Sequence, residues 1–253
     1  MSNNNLIRLK TIFIDDGGVI SDNNLRALQW KDLVGKFFST RYGGSMEAWA
    51  SANEYALTQL IQRYTQKVKE NPQINFKAYW KKEQVIWLIN MFTMVNIDPP
   101  PNEQRAEIAR LATEWITPRV QAAYPGVIET IRLLKNDGYT LYTASGEVSW
   151  ELEGYLTGMG IVDCFKNFYG PDLINTAKAS ILFYERMFND CGVNAREAMV
   201  IDDSIEMLSW AEEMESTIVH VTNFSKCTNT SCQHHINQLN ELPVLISKLR
   251  EKF

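Results

Sequence analysis

The residues D-D-G-G at 15 to 18 follow directly on the apolar run T-I-F-I, so two carboxylates stand where a buried strand would end. Thr143-Ala144-Ser145-Gly146 follows Y-T-L-Y in the same way, and Asp202-Asp203-Ser204 follows A-M-V-I. A single lysine, Lys178, lies between these last two stretches, just before A-S-I-L-F-Y-E-R-M-F. One polar residue after a strand is ordinarily a turn or a helix cap. The informative feature is their convergence. Carboxylates gathered at one edge repel and raise one another's pKa unless a cation lies among them, which calls for a hard divalent ion such as Mg²⁺ held by oxygen ligands. A metal beside an ammonium and hydroxyl donors is a site for phosphate or a similar anion.

Convergence requires a sheet whose strands all end on one side. T-I-F-I (11 to 14), Y-T-L-Y-T (139 to 143), A-M-V-I (198 to 201) and T-I-V-H-V (217 to 221) are short apolar runs, and the last three alternate with amphipathic helices. Such alternation predicts an α/β fold, a doubly wound parallel sheet with a Rossmann-like core, in which ligands bind beyond the carboxyl ends of the strands. Residues 23 to about 120 instead carry apolar residues at three- and four-residue spacing, punctuated by Gly43-Gly44 and Pro99-Pro100-Pro101. This predicts an inserted all-helical cap domain over 22–120, with 1–21 and 121–253 forming the core.

Strand-D-x-x-G-V-I, then strand-T, then a lone lysine, then strand-D-D-S resembles the haloacid dehalogenase superfamily, in the subgroup with a helical cap between the first and second motifs. The resemblance spans essentially the whole chain in motif order. It implies a hydrolase in which Asp15 is the nucleophile, Thr143 binds the transferring phosphoryl oxygen and Lys178 neutralises both. It further implies Asp15, the Gly17 carbonyl, Asp202 and Asp203 as Mg²⁺ ligands, and Thr143, Ala144, Ser145 and Lys178 as the substrate-binding set. The family's first motif usually carries a second aspartate as general acid/base, and here that position is Gly17. Asp16 is adjacent but leaves the strand toward the opposite side. The implied activity is therefore a Mg²⁺-dependent phosphatase acting on a small phosphorylated metabolite. Dehalogenase or phosphonate-type chemistry, and a silent relative that binds a phospholigand or partner, are the alternatives that Gly17 motivates.

The bounds agree with such a protein. The chain has 253 residues, 45% hydrophobic, with a net charge of −5, which disfavours nucleic acid or an anionic membrane as partner. The N-terminus lacks the apolar core of a signal peptide, and V-I-W-L-I-N-M-F (85 to 92) is too short to span a bilayer, so the expectation is a soluble cytoplasmic protein, monomer or homodimer. The 4 cysteines of so large a chain are expected to be reduced. Cys227, Cys232, His234 and His235 are zinc-compatible ligand types, but their spacing matches no standard finger and reads as an irregular surface loop. In the insert, the tryptophans read as packing, with one or two near Gly43-Gly44 facing the substrate. Arg41 is the insert residue expected to meet an anionic substrate.

Overall fold

A computed structural model describes residues 9–223, 232 and 234–251. Every residue of β1 (Thr11–Ile14) is buried, as an unbroken β-branched and aromatic run demands of a strand covered on both faces. β1 pairs in parallel with β2 (Thr140–Ala144) and β4 (Ala198–Asp202), with Ile14 in register with Thr143 on one side and Ile201 on the other. β5 (Thr217–Val221), β3 (Phe165–Tyr169) and β6 (His235–Ile236) complete a six-stranded parallel sheet of order β3-β2-β1-β4-β5-β6. The doubly wound α/β architecture is thus as expected. β3 and β6 were not foreseen, and both are sheet edges. F-K-N-F-Y exposes Lys166 and half-buries Asn167 and Phe168, so it lacks the continuous apolar run that marks a central strand.

Alternation along the strands divides the core. Ile12, Ile14, Leu141, Met199 and Ile201 face one layer, built from α5 (Val127–Asn136), α6 (Ser149–Gly158) and α9 (Leu242–Glu251). Phe13, Tyr142 and Val200 face the other, built from α7 (Ile181–Cys191) and α8 (Ile205–Glu213). Phe13 stacks on Tyr142 at 5.0 Å and meets Phe188 edge-on at 5.2 Å, fixing β1 against β2 and α7.

Between β1 and α5 the chain forms α1 (Asn23–Tyr42), α2 (Met46–Glu70), α3 (Phe76–Met94) and α4 (Asn102–Ile116), which pack on one another. Side chains of Asp22, Ser45 and Asn75 cap the first three, accepting from backbone N–H groups of the first turn. Pro101 stands at the start of α4, where a missing N–H costs nothing. The chain leaves and returns through a narrow neck, where Asp22 N donates to Ala122 O at 2.8 Å and Tyr124 N to Ile20 O at 3.0 Å. Gly43 and Gly44, with φ of +78° and +77°, make the α1–α2 turn. The tryptophan beside them, Trp49, does not face a cavity as expected. It is fully buried among Phe38, Tyr42 and Phe92, its indole donating to Gly43 O at 2.7 Å. No described helix is long and apolar enough to cross a membrane.

Candidate active site

The loop after β1 is built to hold two adjacent carboxylates apart. Asp15 N donates to Ile201 O at 2.9 Å, keeping Asp15 in the line of the sheet. Asp16 O then accepts from the backbone N–H groups of Ile20 and Ser21 at 2.9 and 2.8 Å, which folds residues 16–21 into a tight turn. Gly18, with φ of +85°, is required twice over, since a Cβ there would lie 2.0 Å from Asp203 Oδ2. Its carbonyl accepts from Asn223 Nδ2 at 2.7 Å.

Asp15 lies on the same side of the sheet as Lys178 and Asp202. Lys178 Nζ is 2.9 Å from Asp15 Oδ1 and 2.6 Å from Asp202 Oδ2, and all three residues are buried. Asp202 is steadied by Ser204 N, which donates to its other oxygen at 2.8 Å. The more exposed Asp203 is anchored through its backbone, its carbonyl accepting from His220 Nε2 at 3.1 Å. Lys178 comes from the loop three residues ahead of α7 rather than from the helix itself. Burial pushes Asp15 up to about 7, with Lys178 opposing and Asp202 adding to the rise. Burial also works against the Lys178 ammonium, but Asp15 and Asp202 outweigh it and hold the group well above its ordinary value. Asp203 is raised by burial and then by Asp202.

Oxygens of Asp15, Asp202 and Asp203 all lie within 4.8 Å of one another, the only such metal-compatible group among the described residues. An all-carboxylate set suits a small hard cation. The Gly17 carbonyl accepts no hydrogen bond among the described residues and is free to join them. Of the zinc-compatible set, Cys232 is buried in the α7–α8 layer and His235 lies in β6, while Cys227 falls outside the described residues.

The substrate-binding residues are placed less uniformly. Thr143 is in register with Ile14, one residue short of Asp15, and its hydroxyl is fully buried, donating to Tyr169 O at 3.3 Å. No hydrogen bond among the described residues joins it to Asp15 or Lys178. Ala144 is the next residue of β2, and Ser145 Oγ accepts from Glu147 N at 3.3 Å, shaping the turn beyond that strand. Arg41 is not brought to the acidic cluster. It lies 3.9 Å over the Phe37 ring and donates to Phe37 O, lining a separate groove with Trp115 and Arg119. The reason is its position in the last turn of α1, where the partial negative charge of the helix C-terminus attracts a cation.

On the opposite side of the β1 loop lies a second charged group that the motifs did not reveal. Asp16, fully buried, accepts from Ser21 Oγ at 2.9 Å and pairs with Arg26 Nη2 at 2.7 Å. Arg26 Nη1 reaches Glu147 Oε1 at 3.4 Å, and the guanidinium lies 4.8 Å over the Tyr155 ring. Asp16 is thereby committed to Arg26 and does not take the place of the missing second aspartate. A Cβ at Gly17 would lie 2.7 Å from Asn23 Oδ1 and 3.5 Å from Arg26 Nη2, so side chains of α1 fill the space that the absent carboxylate would use. The one signal for Arg26 is its spacing: it precedes Trp30 by four residues and Val34 by eight, which sets a cation on the apolar stripe of α1.

Glu147, Glu151 and Tyr155, spaced four apart, border a cavity of about 590 Å³. Burial and then Glu147 hold Glu151 well above the ordinary glutamate range, so the fold binds its proton more tightly than the unfolded chain does. Its contribution to stability is therefore present at low pH and lost as pH rises through the raised value. Glu151→Gln should melt like the native protein below about pH 4 and several degrees higher near pH 8. An unchanged pH dependence of Tm in the variant would show that Glu151 ionises freely in the fold.

A family model described as haloacid dehalogenase-like hydrolase matches residues 9–213. No curated protein matches the chain significantly by sequence. Among solved structures, it is similar to L-2-haloacid dehalogenase from Xanthobacter autotrophicus, with 14% identity, TM-score 0.62 and coverage of 94% of this chain and 98% of that one. It is also similar to the HAD phosphatase from Thermococcus onnurineus, with 19% identity, TM-score 0.59 and coverage of 94% and 97%. The HAD-hydrolase YfnB from Bacillus subtilis, solved bound to magnesium, matches with 13% identity, TM-score 0.62 and coverage of 95% and 99%. Identities this low speak for the fold alone. With the family model spanning most of the sequence and the motif residues Asp15, Lys178, Asp202 and Asp203 gathered at the carboxyl edge of a doubly wound sheet, the chain belongs to the haloacid dehalogenase-like hydrolases.

Proposed function

We propose that the protein is a Mg²⁺-dependent phosphatase of a small phosphorylated metabolite, with the four-helix insert as its cap. The observation that supports it is the grouping of Asp15, Asp202 and Asp203 within 4.8 Å, beside an ammonium 2.9 Å from Asp15. In this reading Asp15 attacks phosphorus, a P–O bond forming to its carboxylate as the ester P–O bond breaks. Lys178 opposes the rise that burial imposes on Asp15 and offsets charge on the phosphoryl oxygens. Asp15, the Gly17 carbonyl, Asp202 and Asp203 would hold Mg²⁺, which when bound supplies positive charge opposite the transferring group. The Thr143 hydroxyl and the Ser145 N–H both donate to Tyr169 O, so in this reading Lys178 is the donor that meets the phosphoryl oxygens. Water then hydrolyses the aspartyl-phosphate. Gly17 offers no acid to the leaving oxygen, which removes a contribution of about 10²- to 10⁴-fold in rate.

A dehalogenase, attacking carbon through the same aspartate, is the second reading, and the absent second carboxylate favours it. Phosphate and halide release should be measured side by side, with and without EDTA. Phosphate release abolished by EDTA and restored by Mg²⁺ is expected. EDTA-insensitive halide release would overturn the phosphatase reading.

A further inference from the structure

Resting on the phosphatase reading, we infer that the substrates are phosphate monoesters of phenol-like alcohols, whose ring occupies the cavity beneath the insert and whose departing oxygen faces Arg26. Two independent features lead there. The first is chemical. A phenol gives up its proton near pH 10, as tyrosine does, whereas an alkanol is about as weak an acid as water. An alkoxide therefore needs an acid to leave, and a phenolate does not. Residue 17, the usual place of that acid, is glycine, and the groups beside the position of a Gly17 Cβ are the Asn23 amide at 2.7 Å, which is no acid, and the permanently charged guanidinium of Arg26 at 3.5 Å. A guanidinium cannot donate a proton at any working pH, but it stabilises a departing anion.

The second feature is the cavity. Its volume of about 590 Å³ is in the range of small-molecule sites. Most of its exposed lining is apolar, with Trp30, Trp80, Trp87, Leu57 and Leu60 among the residues that form it, and Asn23 and Arg26, both beside the position of a Gly17 Cβ, line it as well. Trp87 Nε1 is already engaged with Asn53 Oδ1 at 2.9 Å and Trp30 Nε1 with Tyr155 at 2.7 Å. Trp80 Nε1 and Gln84 Nε2 are buried donors without hydrogen-bond partners among the described residues, so an acceptor substituent on the ring would be met at that wall.

The step balances without a further acid. The bond from Asp15 Oδ to phosphorus forms as the P–O(aryl) bond breaks, and its electron pair leaves on the phenolate beside Arg26. Water then attacks phosphorus and releases inorganic phosphate with the Asp15 carboxylate restored. The proton it gives up ends on the phenolate.

The test is a series of ring-substituted phenyl phosphates and matched alkyl phosphates, assayed for phosphate release with Mg²⁺ on the native protein and on Gly17→Asp. The native kcat/KM is expected to rise steeply as the leaving group becomes more acidic, with aryl esters at least 10²-fold better than alkyl esters. Gly17→Asp, whose Cβ displaces only the movable end of Asn23, should flatten that dependence. A flat native series, or alkyl esters matching aryl ones, would overturn the inference while leaving the phosphatase reading intact. Should no ester be turned over, the phosphatase reading fails, and calorimetry with phenylphosphonate and methylphosphonate decides the cavity separately. At least tenfold tighter binding of the aryl compound supports an aromatic site, and equal binding removes it.

Discussion

Asp15→Asn should eliminate turnover, lowering kcat by at least ~10³-fold while leaving the fold in place. Asparagine matches aspartate in shape but offers no anionic oxygen, so no acyl phosphate can form on residue 15. Because burial already pushes Asp15 up to about 7, its ionised form is a cost to the folded state above that pH, and the neutral amide does not carry it. Lys178 keeps Asp202 at 2.6 Å and is not stranded. The variant should therefore melt within a few degrees of the native protein. The readouts are phosphate release and, by mass spectrometry of acid-quenched protein, a phosphoryl adduct that appears on the native chain and is missing from the variant. Turnover or an adduct surviving the substitution would place the nucleophile elsewhere.

Arg26→Met should produce the largest loss of stability of any single substitution outside the apolar core. Asp16 is fully buried and Arg26, at 2.7 Å, is its only cationic partner among the described residues, so removing the guanidinium leaves a buried carboxylate without that counter-charge. Breaking such a pair costs about 3–5 kcal/mol, which for a chain of this size lowers Tm by roughly 10 °C. The magnitude belongs to the orphaned charge and not to lost packing, and a double-mutant cycle separates them. In an Asp16→Asn background, Arg26→Met should cost much less, because an amide left alone is cheaper to bury than a carboxylate. Equal losses in the two backgrounds would show that packing against Tyr155 dominates.

The placement of the chemistry was readable from the sequence because parallel strands share a direction. When T-I-F-I, Y-T-L-Y-T and A-M-V-I lie side by side, whatever follows each must meet at one edge, so Asp15, Lys178, Asp202 and Asp203 could be grouped without knowing a single distance. The helical character of the insert followed equally from apolar spacing. What tertiary structure decided concerns residues whose partners are distant in sequence or whose surroundings lack periodicity. The edge strands β3 and β6 bury too little to leave an apolar run. Thr143 has a hydroxyl of the right type at the right strand end, yet the β2–β3 pairing gives it to Tyr169 O. Arg41 has the right charge but closes on the ring and carbonyl of Phe37 within its own helix. Arg26 belongs to no motif, and only the packing of α1 over the β1 loop makes it the counter-charge of Asp16 and the neighbour of Gly17. Spacing along the chain fixes which face of an element a residue occupies, whereas the group that meets it there is set by tertiary packing and can come from an element more than a hundred residues away, as Glu147 is from Arg26.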